Sequence, residues 1–84
     1  MPYSVYILQS LKDGSYYVGS TQDLEARLQR HNQGRSKYTK IKMPWELVYQ
    51  EHYPDRSTAS CRELEIKNLK SRSAIDRLVR TSRR

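Results

Sequence analysis

The chain contains no phenylalanine, one cysteine, three glycines and three prolines among 84 residues. Without Phe, and with only 36% apolar residues, its core must be thin and built partly from seven tyrosines and one tryptophan. Cys61 has no partner for an intramolecular disulfide, and with His31 and His52 far apart no Cys/His zinc spacing exists. No segment approaches the ~18 consecutive apolar residues of a membrane span. The opening MPYSVYIL also lacks a basic region ahead of an apolar stretch. These absences predict a cytoplasmic, disulfide-free protein without a membrane partner. The length predicts one small domain over residues 1–84, too small for a dinucleotide-binding domain or a two-domain cleft. Internal repeats, linkers, Gly-rich phosphate loops, zinc fingers and RNA-recognition motifs are all missing.

Acidic residues are the other scarcity. Nine Asp and Glu face sixteen Lys and Arg, a net charge of +7. A small domain of this kind meets a polyanion, most commonly nucleic acid; an anionic membrane surface and the ribosome are the competitors. A charge that merely solubilises the surface is the bland alternative. The basic residues concentrate between Arg27 and Lys42, where Arg27, Arg30, Arg35, Lys37, Lys40 and Lys42 occur with no acid and Tyr38 is interleaved. Arg77, Arg80, Arg83 and Arg84 add charge at the end of the chain. Such clusters suit phosphate contacts and read no base sequence by themselves.

The local patterns predict an order β-β-α-β-α-α. Residues 3–9 (YSVYILQ) are β-branched and aromatic, Asp13-Gly14 is a hairpin turn signal, and a second strand follows at 16–19. A helix over about 22–32 has Ser20 or Thr21 as its cap and Gly34 at its end. Residues 35–44 read as a basic loop. A third strand follows Pro44, with Leu47 and Tyr49 alternating against Val48 and Gln50. Beyond Pro54-Asp55, a helix capped by Asp55 or Ser57 runs to about residue 71. Ser71-Arg72-Ser73 separates it from a short last helix, and residues 77–84 read as a frayed basic tail. The fold class is therefore α+β, a small antiparallel sheet packed with helices.

Three features stand out against these patterns. On the long helix, Glu63 lies within about 60° of Ile66, inside the stripe that also holds Ala59, whereas Glu65 is about 100° away on the other side. A carboxylate aimed at a core edge meets a metal, a base or a hydrogen-bond donor, or else reaches solvent. On the first helix, Arg27 and His31 are i, i+4 neighbours beside Leu24 and Leu28, where they either grip a phosphate or snorkel and cap. Tyr6 and Tyr17 belong to the opening hairpin. A catalytic role for either needs a phenol of lowered pKa, which a nearby Arg or Lys would supply.

Ser4-Val5-Tyr6 and Tyr17-Val18-Gly19 are followed by T-x-D-L-E-x-R-L-x-x-H-N over Thr21 to Asn32. Lys37-Tyr38-Thr39, Pro44-Trp45-Glu46-Leu47-Val48-Tyr49 and Ala59-x-x-Arg62-Glu63-x-x-Ile66-Lys67 complete the series. This ordered set resembles the GIY-YIG endonuclease domain, in particular its small stand-alone bacterial members, with Ser4 where the name-giving glycine would stand. The resemblance implies a three-stranded antiparallel sheet flanked by helices and metal-dependent hydrolysis of DNA phosphodiester bonds with Mg²⁺ or Mn²⁺. It implies catalytic roles for Tyr6, Tyr17, Arg27, His31 and Glu63, with Glu63 as the metal ligand. Larger members carry a separate DNA-binding domain that has no counterpart here. Contacts to DNA then fall to Arg30, Arg35, Lys37, Tyr38, Lys40, Lys42 and Lys67. The expected substrate is branched or damaged DNA, or DNA cut with little specificity; a second copy of the chain is a further candidate partner. A nucleic-acid-binding module with this fold and little or no catalysis is the alternative.

Overall fold

The computed structural model describes residues 2–34, 37–69 and 71–82. The chain runs β1 (Tyr3–Ser10), β2 (Tyr16–Thr21), α1 (Leu24–Asn32), α2 (Lys37–Lys40), β3 (Trp45–Tyr53), α3 (Arg56–Lys67) and α4 (Arg72–Ser82). The strands form one antiparallel sheet in the order β2-β1-β3. This is the expected α+β architecture with one addition, the single turn α2 inside the segment read as a loop.

β1 is the centre of the molecule. Val5, Tyr6, Ile7 and Leu8 are each at most 1% exposed, which is why the strand reads as a continuous apolar run without alternation. Val5 and Ile7 pack with Val18, Val48, Ala59, Ile66 and Val79 beneath α3 and α4. Tyr6 and Leu8 point the other way and join Trp45, Leu24 and Leu28 beneath α1. The sheet is thus covered on both faces, while β2 forms one open edge.

The pairing of β1 with β3 shifts between Ile7 and Leu8, which face Tyr49 and Leu47 respectively. Val48 is the extra residue of a β-bulge, and the bulge reverses the phase of the strand. Leu47 packs with Tyr6 and Leu8, whereas Tyr49 packs on the α3 face. The expectation that Leu47 and Tyr49 share a face is therefore corrected. Beyond the bulge, Glu51 accepts from Arg62 Nε at 2.9 Å and Nη2 at 3.1 Å, and from the hydroxyls of Tyr49 and Tyr53. This cluster pins α3 to β3.

The caps also differ in part. Asp23, with extended backbone, accepts from the Ala26 N–H at 3.1 Å and starts α1; Ser20 and Thr21 remain in β2. Asp55, not Ser57, caps α3, taking the Thr58 N–H and hydroxyl at 2.8 Å each. α3 stops at Lys67, four residues before the expected end, where the Asn68 N–H closes on the Leu64 carbonyl at 2.9 Å. α4 continues through Ser82, so residues 77–82 are helical rather than frayed. Its apolar stripe of Ile75, Leu78 and Val79 docks on the core, which the arginine-rich composition of the segment obscured. Arg83 and Arg84 lie outside the described residues.

Candidate functional site

The site is built where both layers of helices reach the open edge of β2. Tyr6 pairs across the sheet with Gly19. A Cβ on Gly19 would stand 2.6 Å from the Tyr6 hydroxyl and 2.8 Å from its Cζ, so the glycine exists to let the phenol cross β2. α1 brings His31 over the same ring. His31 is 3% exposed, with Nε2 3.4 Å from the Tyr6 hydroxyl and Nδ1 2.9 Å from Thr39 Oγ1. Thr39, from α2, is fully buried, and its carbonyl accepts the Trp45 indole N–H at 2.9 Å. Tyr17 meets the His31 ring edge-on with centroids 4.9 Å apart and lies 6.2 Å from the Trp45 ring.

From the other face, α3 presents Glu63 beside β2. Ser20 Oγ donates to one carboxylate oxygen at 2.6 Å, and Lys67 Nζ donates to the other at 2.6 Å. Glu63 is 21% exposed against 67% for Glu65, which agrees with the helical phase read from the sequence. An open groove of about 590 Å³ is lined by Glu63, Arg27, Arg56, Ser60, Ser20 and Asp23, with Tyr3, Thr21 and Gln22 completing it. Arg27 and Glu63, from opposite layers, thus share one groove. The two also flank the Tyr6 phenol closely enough to act on its charge.

The electrostatics of Tyr6 run against one expectation. Burial raises its pKa far above the ordinary phenol value; Tyr17 and Glu63 add to the rise, and Arg27 opposes it without prevailing. Tyr6 is a neutral phenol at pH 7, not a standing phenolate. His31 is pushed down by burial and by the nearby Arg27 and Arg30, which keeps the imidazole neutral and able to accept a proton. Burial raises Glu63, but the Lys67 ammonium and the Ser20 hydroxyl together outweigh it and hold the carboxylate ionised.

The remaining basic candidates scatter. Arg30 is exposed on the outer side of α1, and Lys40 is exposed at the end of α2. Lys42 lies 3.6 Å from Asp13 at the hairpin tip, and Lys67 is drawn onto Glu63. Arg35 lies outside the described residues, as do the side chains of Lys37 and Tyr38. Thr39, Arg56 and Ser60 were assigned no role in the site from the sequence, and Ser20 only that of a helix cap. Thr39 belonged to a quoted motif, yet a hydroxyl in a basic loop carries no local sign that it will be buried against an imidazole.

A model of the GIY-YIG catalytic domain matches residues 2–76. The chain belongs to the GIY-YIG family. It is 53% identical over 64 residues to a UPF0213 protein of Staphylococcus epidermidis, covering 75% of this chain and 77% of that one. A UPF0213 protein of Staphylococcus aureus is 50% identical over the same length and coverage. The solution NMR structure of a UPF0213 protein from Bacillus halodurans superposes with a TM-score of 0.60 at 38% identity, covering 96% of this chain and 85% of that one. GIY-YIG domains form a nuclease family that acts on DNA and generally uses a divalent metal. In this GIY-YIG domain the first motif supplies a buried phenol, and the glycine of the second supplies the space for it. Among the described residues no helix is long and apolar enough to cross a membrane.

Proposed function

We propose that this GIY-YIG domain is a metal-dependent endonuclease that hydrolyses DNA phosphodiester bonds in branched or damaged DNA, or with little specificity. The observation that carries the reading is the groove that Arg27 and Glu63 both line, backed by the Tyr6–His31–Thr39 line. The donor set fits one hydrated divalent ion. Glu63 supplies a carboxylate, Ser20 a hydroxyl beside it, and among the described residues no three acidic, His or Cys side chains cluster as a two-metal site needs. When bound, Mg²⁺ or Mn²⁺ supplies charge that polarises the phosphate and stabilises the leaving oxygen.

The protein's own groups do the rest. Arg27 pairs with the phosphate and stabilises its developing negative charge. In the tautomer whose Nδ1–H donates to Thr39, the lone pair on His31 Nε2 faces the Tyr6 hydroxyl. Tyr6 then takes a proton from the attacking water while passing its own to His31, so a phenol of raised pKa serves without ever standing ionised. Tyr17 fixes the imidazole plane by its edge contact.

Cleavage of a panel of intact, nicked, mismatched and branched duplexes, with Mg²⁺ or Mn²⁺, tests the reading. Wild type should cut at least one member. Glu63→Gln should abolish cleavage and leave folding intact, while the exposed Glu65→Gln should stay within about a few-fold. The engagement of both Glu63 oxygens by Ser20 and Lys67 favours the second reading, a DNA-binding module without catalysis. Salt-sensitive binding with no cleavage of any substrate would establish that instead.

A further inference from the structure

At the hairpin end of the sheet, away from the groove, two large apolar side chains stand in water. Leu11 is 62% exposed and Ile41 is 64% exposed. They belong to different segments, and those segments are tied together. Ser10 Oγ donates to the Lys42 carbonyl at 2.6 Å, and the Leu11 N–H donates to the Pro44 carbonyl at 2.9 Å. Lys12 Nζ reaches the Ile41 carbonyl at 3.3 Å, and Lys42 lies 3.6 Å from Asp13. Ser10 is 2% exposed and its oxygen also takes the N–H groups of Lys12 and Asp13 at 3.1 and 3.3 Å. A buried serine at the centre of this network holds both apolar residues out on a fixed platform.

The platform is cationic. Residues 10–13 and 39–44 carry Lys12, Lys40 and Lys42 against Asp13 as their only acid. Apolar residues held among lysines complement a surface that offers phosphates outside and aromatic faces within, which is duplex DNA opened at a base step. Unstacking costs about a few kcal/mol and is cheapest where a mismatch or nick has already weakened the step.

We propose that the Leu11–Ile41 tip is an apolar wedge that enters a weakened step of duplex DNA while Lys12 and Lys40 hold the flanking phosphates. The proposal rests on DNA as the partner and adds to it what the DNA must look like. It also fixes an offset. Leu11 follows β1 directly, five residues after Tyr6, and at about 3.4 Å per residue the tip stands about 17 Å from the site. With a rise of about 3.4 Å per base pair, cleavage falls about five base pairs from the opened step.

The test compares duplexes of about 20 base pairs that are either fully paired or carry one central mismatch, with 2-aminopurine beside that position. Binding is followed by fluorescence anisotropy at fixed salt. Wild type should bind the mismatched duplex at least tenfold more tightly and brighten the 2-aminopurine. Leu11→Ser/Ile41→Ser should bring the two affinities within about twofold, without brightening, and bind the paired duplex within about threefold of wild type. Equal wild-type affinities, or a preference that survives the double substitution, overturn the proposal. So does binding to phosphatidylserine vesicles that the double substitution abolishes while the duplexes are not distinguished, because the tip would then be a membrane contact. If the double variant melts below the assay temperature, Leu11→Asn alone should still reduce the preference at least threefold, and its failure to do so overturns the wedge. Glu63→Gln should keep the full preference. Absence of cleavage alongside that preference removes the nuclease reading and leaves the wedge, whereas cleavage without the preference does the reverse.

Discussion

At the scale of single residues, the site depends on what is missing at Gly19 and on what is neutral at His31. A methyl group at position 19 would overlap the Tyr6 hydroxyl and ring carbon, and the ring is buried, so it has no open solvent into which to swing. Gly19→Ala should therefore displace the phenol from His31 and destabilise the fold by about 1–3 kcal/mol, as overpacking does. Urea unfolding measures the loss, and an unchanged midpoint would mean that the strand yields instead. His31 makes the second prediction. Its folded pKa lies below its unfolded value of about 6.5, because burial and two arginines oppose the imidazolium. Above that value the residue is neutral in both states and stability is insensitive to its titration. As pH falls through about 6.5, the unfolded chain takes up the proton and the folded chain does not. Stability then declines with a slope of at most about 1.4 kcal/mol per pH unit from this residue, until the folded pKa is passed. Melting temperatures of wild type and His31→Gln between pH 8 and 5 should converge as pH falls; parallel curves would remove His31 as the source.

At the scale of elements, the starts of α1 and α3 each rest on one aspartate. Asp55 gives one carboxylate oxygen to both the backbone N–H and the hydroxyl of Thr58, and α3 is the element that carries Glu63. Asp55→Ala should cost about 1 kcal/mol, and Asp55→Asn distinctly less, since an amide oxygen still accepts the bond. Chemical denaturation of the two variants checks that order. Most of this level was legible in the sequence: the strands, Asp13-Gly14 at the turn, the positive-φ Gly34 that follows α1, and the face of α3 that holds Ala59, Glu63 and Ile66. What was not legible has a common cause. The bulge at Val48, the turn α2 and the full length of α4 are decided by contacts between segments far apart in the chain, and local periodicity carries no record of those contacts. The same holds within the site. Glu63 and the Arg27–His31 pair betrayed themselves as polar residues on apolar stripes, whereas Thr39 and Ser20 gain their places only when α2 meets α1 and α3 meets β2.

Across the whole molecule, charge is arranged so that the acids are largely spoken for. Asp13, Glu51, Glu63 and Glu65 each face a lysine or arginine within 4.0 Å, so the surplus of basic residues falls on the groove at Arg27 and Arg56, the tip at Lys12 and Lys40, and the outer side of α4 at Arg77 and Arg80. The groove and the tip lie at opposite ends of the sheet, so on the proposed reading the duplex runs from one to the other along the strands. α4 covers the sheet face opposite α1, where Arg77 and Arg80 line a cleft of that helix, while Arg72 at its start donates to the Gly14 carbonyl at 3.0 Å. Each phosphate neutralised adds about −0.9 to the slope of log affinity against log salt, so four to six contacts give a slope of about −4 to −5. Lys12→Gln/Lys40→Gln removes two contacts and should make the slope shallower by about 2. Arg77→Gln/Arg80→Gln removes the same formal charge from the other face and should leave the slope within about 0.5 of wild type. Anisotropy titrations of a 20-base-pair duplex between 50 and 200 mM salt, on the order used to resolve such slopes, separate the two cases. If the α4 pair flattens the slope and the tip pair does not, the DNA crosses the helical face, and both the path along the strands and the offset between wedge and cut site are wrong.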